Sequence, residues 1–162
     1  MDKLHHYKAA ITWTGNRGEG TSSYKTYGRE HSLNVHHKPE ILLSSDPAFR
    51  GDEKRYNPEE LFLASLSSCH MLWYLHLCAD NGLVVTAYTD IATGTMDEDE
   101  QGGRFTEVIL HPHVTVTHSS MIAKASELHQ LAHEKCFIAN SCNFPIRHHP
   151  VSKVDVKALS GG

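Results

Sequence analysis

The chain has 162 residues, of which 40% are hydrophobic and 21% charged; this composition is typical of a globular domain and excludes a disordered chain. The 15 lysines and arginines against 19 aspartates and glutamates give a net charge of -4 at pH 7, which argues against binding to a nucleic-acid backbone. The 14 histidines are unusually many and make the charge sensitive to pH near 6.5. We expect a single domain over residues 1–162.

The N-terminal segment and the cysteines indicate the cellular compartment. The segment MDKLHHYKAAITW contains no apolar run of signal-peptide length. The most apolar stretch, Leu61 to Ala79, is interrupted by serines and histidines, so no membrane span is expected. Four cysteines in a chain without a leader are expected to be reduced thiols. The sequence therefore predicts a cytoplasmic protein.

The hydrophobic periodicity and the turn residues predict strands on both sides of one long helix, and a second helix further on. In chain order the predicted elements are strands over Tyr7–Trp13 and Thr21–Val35, a polar loop over 44–56, a helix from Pro58 to about Asn81, a strand over Val84–Thr95, a turn over 96–104, a strand over Phe105–His118, a helix over Ser119–Cys136 and a strand over Val151–Ala158. Pro112 lies inside a predicted strand and indicates an edge position or a bulge. This order of elements predicts an α+β fold.

The long helix has the clearest boundaries in the sequence. Asn57 is a typical N-cap, Pro58 suits the first helical position, and Glu60 can close a capping box. Gly82 can adopt the left-handed conformation that ends a helix. Because the helix is apolar nearly all round, we expect other structure to cover it on all sides.

Cys69 lies midway along this helix, and Cys136 lies where the second helix ends. Taken alone, a mid-helix cysteine is most often a small packing residue, and Cys78 and Cys142 are expected to be packing residues or spare thiols. A reactive thiolate needs positive charge nearby. The arginines that could supply it lie in the polar loop or on the N-terminal strands: Arg50, Arg55, Arg17 and Arg29. Glu59 either complements the helix dipole or holds one of these guanidinium groups in a bidentate pose.

Two segments resemble a known family. They are NPEELFLASLSSCHMLWYLHLC and AHEKCFIANSCNFPI, and their first cysteines are 67 residues apart. With these segments the sequence resembles the OsmC/Ohr family of bacterial peroxidases over almost the whole chain. The first motif, Asn-Pro-Glu followed ten residues later by cysteine, is quite specific. The second departs from the family pattern, because Phe137 follows Cys136 where the family often has proline. The resemblance implies an antiparallel sheet wrapped around a long central helix, in an intertwined homodimer.

The resemblance also implies an activity, the thiol-dependent reduction of organic hydroperoxides to alcohols through a cysteine sulfenic acid and an intramolecular disulfide. Matched by motif, Cys69 is the peroxidatic cysteine, Cys136 the resolving cysteine and Glu59 the carboxylate that positions an activating arginine. Arg50 fits the OsmC-like position of that arginine and Arg17 the Ohr-like position; we predict Arg50. No bound cofactor or metal is implied, and the reductant would be an external dithiol, in this family often a dihydrolipoyl group.

Helix geometry adds one inference about Glu59 and Cys69. If the helix is continuous, these residues lie about 15 Å apart along its axis, and their side chains cannot meet in one chain. Either the helix breaks between them, or the arginine–glutamate pair serves a cysteine of a second chain. The resemblance favours the second alternative, a homodimer with two sites at its interface.

The histidines suggest a rival interpretation. His129 and His133 lie four residues apart on the second helix and could chelate a metal ion. No third ligand is indicated, so solvated histidines are expected. His70 points about 100° away from Cys69 on the helix and is not expected to act as its base. The alternatives to the peroxidase are a His-rich metal-binding protein and a non-catalytic OsmC-like dimer that binds a small hydrophobic ligand.

Overall fold

The computed structural model describes residues 3–100 and 102–155. The chain divides into two compact units, Met1–Leu61 and Phe62–Gly162. Helices and sheets occur together in the order expected, which confirms the α+β class. A single domain over residues 1–162 stays a prediction.

The first unit contains a three-stranded antiparallel sheet formed by β1 (Ala10–Trp13), β2 (His31–Asn34) and β3 (Ile41–Leu43). The predicted strand over Thr21–Val35 is wrong for its first two thirds, because β2 begins only at His31. Hydrogen bonds from a side chain to the backbone replace the strand pairing that was expected for this segment. Arg29 donates to the carbonyl oxygens of Tyr24 and Tyr27 at 2.8 and 2.6 Å, which holds the segment in an irregular loop.

The helix α1 (Pro58–Asp80) begins and ends as the sequence predicts. The Asn57 side chain accepts a hydrogen bond from the Glu60 backbone N–H at 2.8 Å, and the Glu60 carboxylate accepts one from the Asn57 N–H at 3.1 Å. This is the expected capping box. At the other end, Gly82 has φ +66°, and the Leu83 N–H donates to the Cys78 carbonyl oxygen at 2.9 Å, so both boundaries are confirmed.

The second unit contains two three-stranded sheets. One has the order β4 (Val85–Asp90), β7 (Pro112–Val116), β9 (Val151–Val154), and the other the order β5 (Thr93–Asp99), β6 (Gly102–Leu110), β8 (Ile146–His148). The β4–β7 and β5–β6 pairs are antiparallel, but β8 and β9 add in parallel, so these sheets are mixed rather than antiparallel.

Both long strands predicted for this unit are broken in the structure. The stretch predicted as Val84–Thr95 forms β4 and β5, and Phe105–His118 forms β6 and β7, so the predicted turn over 96–104 is also too long. Asp90 marks the first break, since its carboxylate accepts hydrogen bonds from the Ser67 hydroxyl and the His111 backbone N–H. Pro112 begins the central strand β7 and is buried, so the expected edge position is wrong; a first strand residue tolerates proline.

The helix α2 (Ile122–Lys135) follows a short 3-10 turn over Ser119–Met121. The face predicted from helical spacing is buried, and its members are Ala125, Leu128, Ala132 and Cys136. This face packs against residues of α1, among them Tyr74 and Leu77, in the larger of two apolar clusters. The last predicted strand is shorter than expected, and residues 156–162 lie outside the described part of the chain.

One side of α1 is not covered. Its buried residues recur at helical spacing, at Leu66, His70, Tyr74 and Leu77, whereas Leu72 is 61% exposed. The expectation of cover on all sides is therefore wrong for one chain. By length and composition alone α1 could also cross a membrane, but core helices of soluble proteins pass the same test.

Candidate functional site

The structure brings together two of the four cysteines. The side chains of Cys136 and Cys69 lie beside each other, and the interaction between them raises the pKa of the Cys136 thiol. Cys136 is 1% exposed and Cys69 is half-buried, and both are free thiols. Cys69 is thus the member of the pair that solvent and small molecules can approach.

The contact follows from the packing of α1 on α2. Cys69 sits in the middle of α1, and Cys136 is the residue after the last turn of α2, where the backbone becomes extended. The Cys136 N–H donates to the His133 carbonyl oxygen, and its own carbonyl oxygen accepts from Asn140 N–H at 2.9 Å. Cys136 is therefore fixed by backbone bonds on both sides, while helix packing sets its position against α1.

Burial raises the pKa of the Cys136 thiol well above its ordinary value, and the interaction with Cys69 raises it further. The backbone N–H groups of Ala139 and Ile138 act in the opposite direction but do not outweigh burial. Cys136 therefore keeps its proton at neutral pH.

The other two cysteines lie apart from this pair in the packing. Cys78 is 1% exposed within the larger apolar cluster, and burial raises its pKa. Cys142 packs against the smaller apolar cluster, around Leu66 and Val108, and its thiol donates to the Ile138 carbonyl oxygen at 3.2 Å. These contacts agree with the packing role expected from the sequence.

Aromatic side chains flank the thiol pair. Trp73 follows Cys69 by one helical turn, and its ring packs edge-on against Phe137 with centroids 5.5 Å apart. Phe137 directly follows Cys136 and is 66% exposed. The Lys135 ammonium lies 5.7 Å from the Trp73 ring centre. Apolar surface and one cation thus adjoin the two sulfurs.

In the first unit, the loop that carries Arg50 is tightly built. Arg50 has φ 65°, a left-handed conformation that is uncommon for a residue with a side chain. The Asp46 carboxylate caps the preceding 3-10 turn by accepting from Ala48 N–H at 2.8 Å. A Cβ at Gly51 would lie 1.5 Å from the Ser45 carbonyl oxygen, so only glycine fits there. The loop therefore presents an exposed Arg50 in one defined backbone conformation.

All four candidate arginines have partners, and that of Arg50 is the Tyr24 ring, whose centre lies 6.0 Å from the guanidinium. Arg17 forms an ion pair with Glu30 at 3.3 Å, Arg55 pairs with Asp52, and Arg29 stacks on two tyrosine rings. Arg50 has no ion pair among the described residues, and it does not pair with Glu59. One carboxylate oxygen of Glu59, Oε2, is buried and has no hydrogen-bond partner among the same residues. The roles predicted for Arg50 and Glu59 stay predictions.

The sequence did not reveal a cluster of histidines in the second unit. The ring nitrogens His70 Nε2 and His129 Nδ1 are 3.0 Å apart, and the two rings are parallel within 6°. His70 is 1% and His129 0% exposed, so the expectation of solvated histidines is wrong for His129. His148 and His133 lie beside them, with the His148 ring centroid 5.5 Å from His70 and 5.6 Å from His133.

Burial lowers the pKa of His70 to about 4 and that of His129 to about 3, and the neighbouring histidines add to the effect. Both rings are neutral at pH 7. Helical spacing was the signal that could have revealed them, since His70 lies on the same buried face of α1 as Leu66 and Tyr74. Among the residues that the structure describes, no three His, Cys, Asp or Glu side chains are arranged to hold a metal ion.

The comparisons with known proteins agree with this architecture. The family model for OsmC-like protein matches residues 51–149, which include both thiols. No curated protein matches the sequence. An OsmC-like protein of unknown function from Vibrio cholerae is 32% identical, covers 91% of this chain and 100% of its own, and superposes with a TM-score of 0.82. The chain belongs to the OsmC/Ohr family.

Two more distant structures share the fold. An organic hydroperoxide resistance protein from Elizabethkingia anophelis is 20% identical and covers 96% of this chain and 100% of its own, with a TM-score of 0.69. An organic hydroperoxide resistance protein OsmC from Legionella pneumophila has the same identity and coverage, with a TM-score of 0.68. These similarities support the fold described here.

Proposed function

We propose that this protein is a thiol-dependent peroxidase that reduces organic hydroperoxides to alcohols. The observation that carries the proposal is the proximity of the Cys69 and Cys136 side chains, of which one is accessible and the other is buried. Membership of the OsmC/Ohr family supports the same chemistry. The similarity to proteins named for organic hydroperoxide resistance points to the substrate class.

In the first step the Cys69 thiolate attacks the terminal oxygen of the hydroperoxide. A sulfur–oxygen bond forms while the O–O bond breaks, and the departing alkoxide takes up a proton to leave as the alcohol. Cys69 is oxidised to the sulfenic acid, and the peroxide is reduced by two electrons.

In the second step the sulfur of Cys136 attacks the sulfur of the Cys69 sulfenic acid. The S–S bond forms, the S–O bond breaks, and the proton of the Cys136 thiol leaves with the hydroxide as water. The raised pKa of Cys136 suits this order of events, because that thiol keeps its proton until the leaving hydroxide can accept it. The product is an intramolecular disulfide.

An external dithiol then restores both thiols by two thiol–disulfide exchanges, and its own sulfurs end as a disulfide. We propose a dithiol of the dihydrolipoyl class, with no bound cofactor. Resting thiols require reducing surroundings, so the proposal includes a cytoplasmic location. The apolar surface of Trp73 and Phe137 beside the sulfurs favours organic peroxides over hydrogen peroxide.

The proposal also includes a homodimer. Because α1 runs without a break from Pro58 to Asp80, Glu59 and Cys69 lie about 15 Å apart along it. We propose that Glu59 positions Arg50 against Cys69 of a second chain. The uncovered side of α1, where Leu72 is exposed, is consistent with burial against that chain.

The proposal is tested by following cumene hydroperoxide consumption with dihydrolipoamide as reductant. The wild type should turn over many times, and Cys69→Ser should consume none. In a separate measurement without dihydrolipoamide, Cys136→Ser should consume about one equivalent and stop. Cys142→Ser is the matched control, since it removes a half-buried thiol outside the pair, and it should retain full turnover. Full turnover by Cys69→Ser would contradict the proposal.

A further inference from the structure

The hydrogen bond between His70 and His129 joins the two helices that carry the thiols. His70 belongs to α1 and His129 to α2; the Tyr74 ring stacks on His129, and the rings of His148 and His133 lie beside the pair. Such a bond between two neutral rings requires one nitrogen to donate and the other to accept, so it has a defined distance and direction. Apolar packing alone has no such directional requirement.

The pair is completely enclosed, and its outer nitrogens have no partners. His70 Nδ1 and His129 Nε2 lack hydrogen bonds among the described residues, in either tautomer of the pair. Leaving such atoms unpaired in the interior is unfavourable. The ring centroid of His148 lies 5.5 Å from that of His70 and 6.1 Å from that of His129, yet neither outer nitrogen bonds to a described residue. We therefore look for a role of the His70–His129 hydrogen bond other than packing.

Its place in the chain indicates that purpose. His70 is the residue next to Cys69, and His129 lies two helical turns before Cys136. A shift of α2 along or away from α1 would break the imidazole bond and separate the two sulfurs at the same time. Formation of a disulfide needs Cα atoms within about 7 Å, so a small shift is enough to prevent it.

We propose that the hydrogen bond between His70 and His129 is a positioning contact, which holds α1 against α2 at the spacing that lets the two thiols form a disulfide. The contact acts through the helices and does not touch the reacting atoms. Its purpose rests on the proposed peroxidase function. Its test requires only the disulfide between Cys69 and Cys136, so the two can fail separately.

The test measures the equilibrium constant for this disulfide in glutathione redox buffers at pH 7.5, with acid quench, alkylation and peptide mass spectrometry. His129→Leu removes the partner of His70, and we expect the constant to fall at least tenfold, which is about 30 mV for a two-electron couple. The double variant H70Q/H129N places amide groups where Nε2 and Nδ1 stood, and we expect it to return within about threefold of the wild type.

A matched control separates positioning from general loss of stability. Leu128→Ala weakens the same contact between α1 and α2 but leaves both histidines, and it should change the constant by less than about threefold. Should His129→Leu not fold, His129→Gln replaces it, because its amide reaches the position of Nε2 and misses that of Nδ1.

Three results would overturn the inference. They are an unchanged constant when the imidazole bond is removed, an equal fall in Leu128→Ala, and a wild type that forms no Cys69–Cys136 disulfide. A protein that shows the expected dependence on the imidazole pair but does not consume hydroperoxide would refute the peroxidase function and leave the positioning contact intact.

Discussion

The buried thiol of Cys136 lies beside the half-buried side chain of Cys69, which is 67 residues earlier in the chain. The two residues differ in burial: Cys136 is enclosed and keeps its proton, and Cys69 is the sulfur that a peroxide can approach. Their side chains lie side by side, whereas Cys78 and Cys142 pack in the two apolar clusters.

The first prediction concerns Arg50. Because its guanidinium is exposed and has no ion pair among the described residues, it is free to stabilise a thiolate. Arg50→Gln should slow the reaction of Cys69 with cumene hydroperoxide about 10- to 100-fold, the effect of one lost hydrogen bond to a charged group. Stopped-flow measurement of sulfenic acid formation in Cys136→Ser isolates this step.

Arg17→Gln is the control for Arg50. Arg17 is already paired with Glu30, so its removal should change the same rate less than about threefold. A large effect at Arg17 with none at Arg50 would show that the prediction of Arg50 is wrong. It would favour the Ohr-like arrangement, in which Arg17 activates the cysteine.

The second prediction tests whether Glu59 serves the second chain. Glu59→Gln and Cys69→Ser should each be inactive alone, for different reasons. After subunit exchange, each mixed dimer would contain one intact site, formed by Glu59 from one chain and Cys69 from the other. Equal mixing should therefore restore about a quarter of the wild-type activity. The control is Glu59→Gln taken alone through the same exchange procedure. The dimer would be contradicted if the mixture recovered no activity, or if the protein had a monomeric mass at micromolar concentration.

Part of this architecture could be predicted from the sequence because local chemistry decides it. The capping box of Asn57 and Glu60, the stop at Gly82 and the buried face of α2 depend on residues a few positions apart. The family motifs singled out Cys69 and Cys136, and the structure places these side chains in contact. No local rule gives that contact, since it depends on how α1 packs on α2.

Other features could not be predicted because distant groups decide them. The expected strand before His31 is a loop, since Arg29 takes up the carbonyl groups of its neighbours. Asp90 interrupts a predicted strand because it receives hydrogen bonds from Ser67 and His111, 23 and 21 positions away. His129 was expected to be solvated because only the long-range approach of His70 provides its buried partner.

The third prediction is a loss of stability at mildly acidic pH. The folded-state pKa is lowered to about 4 for His70 and about 3 for His129, so the unfolded chain binds more protons below its own pKa near 6.5. This contribution to stability is complete above pH 6.5 and is lost progressively as the pH falls toward 4. The free energy of unfolding should be about 2 kcal/mol lower at pH 5.5 than at pH 7.

Urea denaturation at the two pH values checks this prediction. The titratable groups that face the pair are His133 from α2, His148 from β8 and Tyr74 from α1, and of these His148 also has a lowered pKa and contributes in the same direction. The double variant H70Q/H129N should lose most of the pH dependence between 5.5 and 7. An equal dependence in the variant would mean that other groups cause the effect.

The central claim is that Cys69 and Cys136 form one redox couple, and peptide mass spectrometry after a single equivalent of cumene hydroperoxide tests it most directly. The account predicts that one disulfide forms, that it links Cys69 to Cys136, and that Cys78 and Cys142 stay alkylatable under denaturing conditions. A protein that keeps Cys69 and Cys136 as free thiols, or that links Cys69 to either packing cysteine instead, would contradict it.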